Sequence, residues 1–150
     1  MRIVIQRVSR ASVSIGGTVK SSIGRGFMIL LGIAGDDTAE DAGWLVRKVA
    51  ALRVFDDADG VMNLPITDIG GEILVVSQFT LMASYKKGNR PSWIHAAGHE
   101  TAVPLYTLFC DMLGKATGKP VHTGEFGADM QVELVNDGPV TICMDTKNKE

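Results

Sequence analysis

Phe27-Met28-Ile29-Leu30-Leu31-Gly32-Ile33 is apolar at every position except its glycine, and it follows the breaker Gly24-Arg25-Gly26. A strand wetted on one face alternates polar with apolar residues, so a run without a polar side predicts a strand covered on both faces. This strand should lie at the centre of a sheet. Upstream, Arg2 to Ser9 is rich in β-branched residues, and Ala11 to Ile15 sets Val13 and Ile15 against Ser12 and Ser14. Both read as strands, with Gly16-Gly17 as a hairpin turn.

Downstream, Asp36-Asp37-Thr38 precedes Glu40 and Asp41, a set of capping residues and first-turn acids suited to the positive end of a helix. Ala42, Leu45, Val49 and Leu52 continue at helical spacing. Asp56-Asp57-Ala58-Asp59-Gly60 superficially matches a calcium loop, but counting back from Gly60 puts Phe55 at the first ligand position and Ile66 at the twelfth. An acidic hairpin tip is the better reading. Glu72 to Phe79 forms another strand, and Ala83 to Ser92 a loop carrying Lys86, Lys87 and Arg90. Ala102, Leu105, Tyr106, Phe109, Met112 and Leu113 mark a second helix, starting near or bending at Pro104 and stopping at Gly114. Met130 to Val135 and Val140 to Asp145 alternate as closing strands joined by Asn136-Asp137-Gly138-Pro139, and Thr146 to Glu150 reads as a frayed tail.

Strands, helix, strands, helix, strands is the order of an α+β domain, with two main helices against a curved, mixed or antiparallel sheet. At 150 residues, 45% apolar and 21% charged, the chain suits one domain, residues 1–145, followed by the 146–150 tail, and global disorder is excluded. A net charge of -2 means that any nucleic-acid partner must be gripped locally. The longest apolar run, Phe27 to Ala34, falls far short of the roughly 20 residues that span a bilayer. No membrane partner is expected, and a start without signal-peptide features points to the cytoplasm. Cys110 and Cys143 lack pairing motifs and are expected to be reduced, buried thiols.

The motifs exclude more than they assign. No G-x-G-x-x-G or G-x-x-x-x-G-K-[ST] is present to cradle a dinucleotide or triphosphate, and no cofactor is expected. His95 and His99 have i, i+4 spacing, but Ala96 stands where a zinc protease places its glutamate, and no metal site is expected. His122 reads as structural. Lys86, Lys87 and Arg90 could meet phosphates, but charge alone favours a solvated loop, and composition does not decide between them. Ser77-Gln78-Phe79-Thr80-Leu81 interrupts a buried run with polar groups without forming a G-x-S-x-G elbow.

Taken together, Ser77-Gln78-Phe79-Thr80-Leu81 and Asn136-Asp137-Gly138-Pro139-Val140-Thr141 resemble the signature segments of the D-aminoacyl-tRNA deacylases, also called D-tyrosyl-tRNA deacylases. Leu52-Arg53-Val54-Phe55, Gly70-Gly71, Gly88-Asn89-Arg90-Pro91-Ser92 and Phe126-Gly127-Ala128-Asp129-Met130 support the match over nearly the whole chain. Pro65 departs from it, since members generally carry serine there.

The resemblance implies a barrel-like fold of that family and a homodimeric hydrolase that cleaves the ester between a D-amino acid and the 3′-terminal adenosine of tRNA. Gly138 and Pro139 match a Gly-cisPro motif that enters the partner subunit's pocket and rejects L-aminoacyl groups. Ser77, Gln78 and Phe79 match pocket-lining positions, Phe126 and Met130 positions near the terminal adenine, and Arg7 a residue supporting the pocket. Thr80 matches a position proposed as nucleophile. An unassisted threonine hydroxyl is a weak one, and assistance by the RNA's own ribose hydroxyl fits a chain with no evident triad. A filter acting by steric rejection would let glycyl-tRNA through. The residues alone also leave open a dimeric RNA- or ligand-binding module without catalysis.

Overall fold

The computed structural model describes all residues, 1–150. Its elements run β1 (Arg2–Ile15), β2 (Thr18–Ile23), β3 (Gly26–Gly32), α1 (Ala39–Ala50), β4 (Phe55–Asp56), β5 (Met62–Leu64), β6 (Glu72–Ser77), α2 (His99–Thr117), β7 (His122–Thr123) and β8 (Gln131–Asp145), with a 3-10 turn at Phe79–Met82. β1 shares one edge between two antiparallel partners, β3 along Arg2 to Val8 and β2 along Ala11 to Ile15. β8 runs antiparallel to β1 from Arg2↔Asp145 to Ser14↔Gln131. β3, β6 and β7 are parallel. Ser21 Oγ donates to the Thr123 carbonyl at 2.7 Å, so β2 approaches β7 and the mixed sheet nearly closes into a barrel.

The expected central strand is β3, covered on both faces. Phe27, Ile29 and Leu31 face the helices and pack in one core with Leu45, Val49, Phe109 and Leu113. Met28 points the other way, into a smaller core inside the curl with Val8, Val13, Ile23, Leu74 and Val76. Each fully buried side chain of this size contributes roughly 1.5–3 kcal/mol. Thr38 caps α1 through a capping box in which Asp41 bonds back to the Thr38 N–H at 2.9 Å. Beside it the Met1 ammonium group is fully buried against Asp37 and donates to Thr146 Oγ1 at 2.8 Å. Thr146 is buried, and its N–H returns to the Met1 carbonyl at 2.9 Å.

Several boundaries differ from those expected. Arg2 to Ile15 is one strand that changes partners rather than two strands. Asn136 to Pro139 does not end a strand either: β8 continues through it as a bulge, with four residues, Asp137 to Val140, between the partners of Gln6 and Val8, where β1 has only Arg7. α2 begins more than a turn before Pro104, whose missing N–H leaves only the exposed Glu100 carbonyl without its helical donor. It runs past Gly114 because Gly118, at φ 73°, takes the left-handed capping position. Asp56 to Gly60 is the expected hairpin tip, its Asp57 carboxylate accepting from the Asp59 and Val61 N–H groups. Cys110 is buried, but Cys143 is exposed, since its position in β8 points away from the sheet's covered face.

Candidate active site

β6 ends at Ser77 because the chain leaves the sheet there, with one last parallel bond from Gln78 N–H to the Leu31 carbonyl at 2.8 Å. The following turn, Phe79–Met82, lies directly on β3. A Cβ at Gly32 would sit 2.8 Å from Leu81 Cβ and 3.0 Å from the Gln78 carbonyl, so only glycine admits that approach. Between this turn, the ends of β3 and β6, and the segment entering β8 lies a cavity of about 270 Å³. Ser77, Gln78, Phe79, Phe126 and Met130 all line it, so the structure brings together five of the residues singled out by sequence. The wall is mostly apolar with a few polar groups at one side, as small-molecule sites are.

Phe126 is held by aromatic edges. The His99 ring meets it at 5.3 Å and 87°, and Tyr106 at 5.9 Å and 68°. Tyr106 is itself fixed by donating to the Val75 carbonyl at 2.8 Å. Burial, reinforced by Cys110, pushes its phenol well above the ordinary range, so it stays a donor. Sequence spacing offered His99 only as a weak metal candidate and Tyr106 only as a core residue. No local pattern marks a residue whose part is to hold another ring across the fold.

Thr80 is exposed and is not among the lining side chains. Its hydroxyl accepts a hydrogen bond from Gln78 Nε2. The first rung of the 3-10 turn is Leu81 N–H to the Gln78 carbonyl at 3.2 Å, which leaves the N–H groups of Phe79 and Thr80 outside that ladder.

Gly138 and Pro139 are exposed, joined by a cis peptide bond, and lie outside the cavity wall of their own chain. Arg7 holds them in place from beneath. Its guanidinium is buried and donates from Nε to the Asp137 carbonyl at 2.8 Å and from Nη1 to the Val54 carbonyl at 2.6 Å, with the Asp137 and Asp56 carboxylates at 3.5 and 3.4 Å. Gly138 has φ 129°, and a Cβ there would come 3.1 Å from Arg7 Nη2 and 3.0 Å from Val140 Cγ2. Arg7 therefore supports the bulge and does not touch the cavity. Its row in the sheet, Arg7↔Phe27, lies four residues along β3 from Leu31, about 13 Å at strand spacing.

The remaining polar candidates separate. His122 Nε2 lies 3.8 Å from Glu72, His95 is exposed, and Lys86, Lys87 and Arg90 sit on an exposed loop closed by Ser84↔Ser92. No helix is long and apolar enough to cross a membrane.

Comparison with known proteins extends this geometry. The profile described as D-Tyr-tRNA(Tyr) deacylase matches residues 4–145. D-aminoacyl-tRNA deacylases of Phocaeicola vulgatus and Bacteroides thetaiotaomicron are 67% and 65% identical over 150 residues, covering all of both chains in each case. Among solved structures, a c-Myc DNA unwinding element binding protein superposes with a TM-score of 0.91 at 44% identity, over 97% of this chain and 99% of its own. A probable eukaryotic D-amino acid tRNA deacylase shares the fold, with a TM-score of 0.81 at 18% identity over 95% and 97% of the two chains.

Proposed function

The chain belongs to the D-Tyr-tRNA(Tyr) deacylase family and hydrolyses D-aminoacyl-tRNA, and from that premise we propose how its residues divide the work. The terminal adenosine occupies the apolar cavity against Phe126 and Met130, and Ser77, Gln78 and Phe79 border the ester. Water adds to the ester carbonyl, the bond to the ribose oxygen breaks, and a free D-amino acid and a tRNA with its 3′ hydroxyl restored are released. An aminoacyl ester is already activated, so orientation and donors aimed at the developing oxyanion suffice. The Phe79 and Thr80 N–H groups at the start of the turn are the donors. Thr80 holds Gln78 rather than attacking, since the group bonded to its oxygen is a donor and cannot take its proton. The ribose hydroxyl beside the ester assists the water.

Chirality is read by a second copy of the chain. Gly138 and Pro139 are exposed on a bulge anchored by Arg7 and are absent from their own chain's cavity, which supports a homodimer in which each bulge enters the partner's site. There the backbone fixes the amino group and occupies the volume an L side chain needs. Glycyl-tRNA, with no side chain to reject, is a further substrate. The setting of this reaction is the cytoplasm, where aminoacyl-tRNA is used.

The observation that carries the reading is the convergence of Ser77, Gln78, Phe79, Phe126 and Met130 on one nucleoside-sized cavity. Purified protein is tested on matched D-aminoacyl-, L-aminoacyl- and glycyl-tRNA. Turnover of the first and third with the second spared is expected. Equal loss of L-aminoacyl-tRNA, or survival of glycyl-tRNA at a dose that strips the D ester, overturns the filter. Absence of D-ester turnover overturns the whole scheme in favour of a binding module.

A further inference from the structure

Between Glu72 and Glu100 the chain carries no Asp or Glu, although acids outnumber bases overall by 17 to 15. The cations in that interval, Lys86, Lys87 and Arg90, lie on one loop, and none forms an ion pair. Other cations, such as Lys20 and Lys115, are unpaired too, so what sets the loop apart is three cations together in a stretch cleared of acids. The loop is built as a projection. Ser84 and Ser92 exchange backbone bonds at 2.7 and 2.9 Å, and Gly88, at φ 79°, turns the tip. Its base abuts the cavity: Trp93 follows the closing bond, and its ring meets Phe79, a cavity-lining residue, edge-on at 5.6 Å.

The rings there are unusually open for aromatic side chains. Phe79 is 57% exposed, Trp93 39% and Tyr85, on the loop itself, 77%. Exposed rings beside unpaired cations match the chemistry of single-stranded nucleic acid, whose bases offer π-faces and whose backbone offers phosphates. A peptide or a second copy of this chain would explain the rings without explaining a stretch cleared of acids. With the terminal adenosine in a cavity of about 270 Å³, the nucleotides 5′ to it must leave past its rim.

We propose that the Tyr85–Pro91 loop with the Phe79–Trp93 pair is the landing surface for the unpaired tRNA nucleotides preceding the terminal adenosine. Lys86, Lys87 and Arg90 take phosphates, and the Trp93 and Tyr85 rings take base faces. The proposal rests on the deacylase reading and adds to it where the RNA runs after leaving the cavity. It also explains how a net-acidic protein holds a polyanion: attraction is confined to one loop.

The test compares full-length D-aminoacyl-tRNA with the minimal ester, D-aminoacyl-adenosine, for the wild type and for a Lys86→Ser, Lys87→Ser, Arg90→Ser triple variant. On tRNA the variant should lose tenfold or more in kcat/KM through KM, and the log–log salt dependence should flatten by about 2, as for three lost phosphate contacts on a single strand. On the minimal ester it should match the wild type, which also shows that the fold survives. Unchanged activity on tRNA overturns the proposal, and so does an equal loss on both substrates. So does a variant that separates into monomers where the wild type is dimeric, since the loop would then be a contact between copies. Lengthening the minimal ester by two 5′ cytidines should raise wild-type kcat/KM severalfold, and Trp93→Ala should abolish that gain; no gain in the wild type removes the stacking role. Hydrolysis of neither substrate by the wild type would instead overturn the deacylase reading itself.

Discussion

Arg7 and Asp137 face each other where the β1–β8 ladder slips register, and Arg7 Nε donates to the Asp137 carbonyl at 2.8 Å from a buried position. The same guanidinium bonds the Val54 carbonyl, so one side chain ties the Gly138-Pro139 bulge to the segment after α1. A planar fork can serve two carbonyls in different directions, and an ammonium group at the end of a flexible stem holds neither as firmly. Arg7→Ala is expected to lower unfolding free energy by about 2–4 kcal/mol, since one buried and one half-buried acceptor lose their donor. Arg7→Lys should recover only part of this. Urea denaturation checks both.

Gly138→Ala places a methyl group at φ 129° against Arg7 and Val140. The bulge is exposed, so the fold should survive with a change in stability within about 2 kcal/mol. The D-over-L deacylation ratio should nevertheless fall at least tenfold. A ratio equal to wild type would show that the bulge plays no part in discrimination.

Thr80→Val keeps the shape of the side chain and removes its hydroxyl. With Thr80 as a positioning group for Gln78, kcat should fall by less than about tenfold. Loss of a nucleophile costs on the order of 10⁴-fold or more, so single-turnover rates on D-aminoacyl-tRNA distinguish the two roles.

The two thiols should differ sharply in reactivity. Cys110 is buried, and burial pushes its thiol up to about 12 despite a hydrogen bond with Tyr106, so it carries almost no thiolate at neutral pH. Cys143 is exposed. A colorimetric thiol reagent at pH 8 should therefore modify Cys143 quickly and Cys110 only on unfolding; Cys143→Ser should abolish the fast phase.

Acid should loosen the corner where α1 meets the end of β8. Burial alone would raise the Asp41 carboxyl, but bonds from the Thr146 hydroxyl, the Thr38 N–H and Lys147 outweigh it and hold it well below the usual carboxylate range. Asp145 is lowered too, by the Lys147 N–H and Arg2 against the opposing effect of burial. A depressed folded pKa stabilises above the unfolded value of about 3.9 and is lost as pH falls through it toward the folded value. Asp41→Asn should thus melt below wild type at pH 7, and the gap should narrow steadily below about pH 4.

How much of this was legible in the sequence depended on whether the information was local. The unbroken apolar run of β3, the capping residues before Ala39 and the Asp57 turn each carry their cause within a few residues, and each appeared where expected. The course of Asn136 to Pro139 did not, because a turn between strands and a bulge within one strand use the same residues, and only the pairing with β1 decides. Gly114 and Gly118 are equally good helix stops by composition, and it is Gly118 that takes the left-handed conformation and caps the helix. Ser77 to Leu81 stood out as a polar break in a buried run, and the fold adds the neighbours His99 and Tyr106 that hold Phe126. Arg7 was expected as a support for the pocket, and what it holds in its own chain is the Asp137 carbonyl of the bulge, a contact that only the pairing of distant strands supplies.

The clasp of Met1 with Asp37 and Thr146 sits beside the first rung of the longest ladder, Arg2↔Asp145. Tension applied between those two residues would pull perpendicular to the strands and part the rungs in succession, as a zipper opens, instead of shearing them all at once. Once the clasp yields, each successive tug meets a single pair of strand bonds, so the protein should be mechanically soft along this axis however stable it is to heat. A protease that grips and drags the chain from this corner would meet its resistance first at one buried carboxylate.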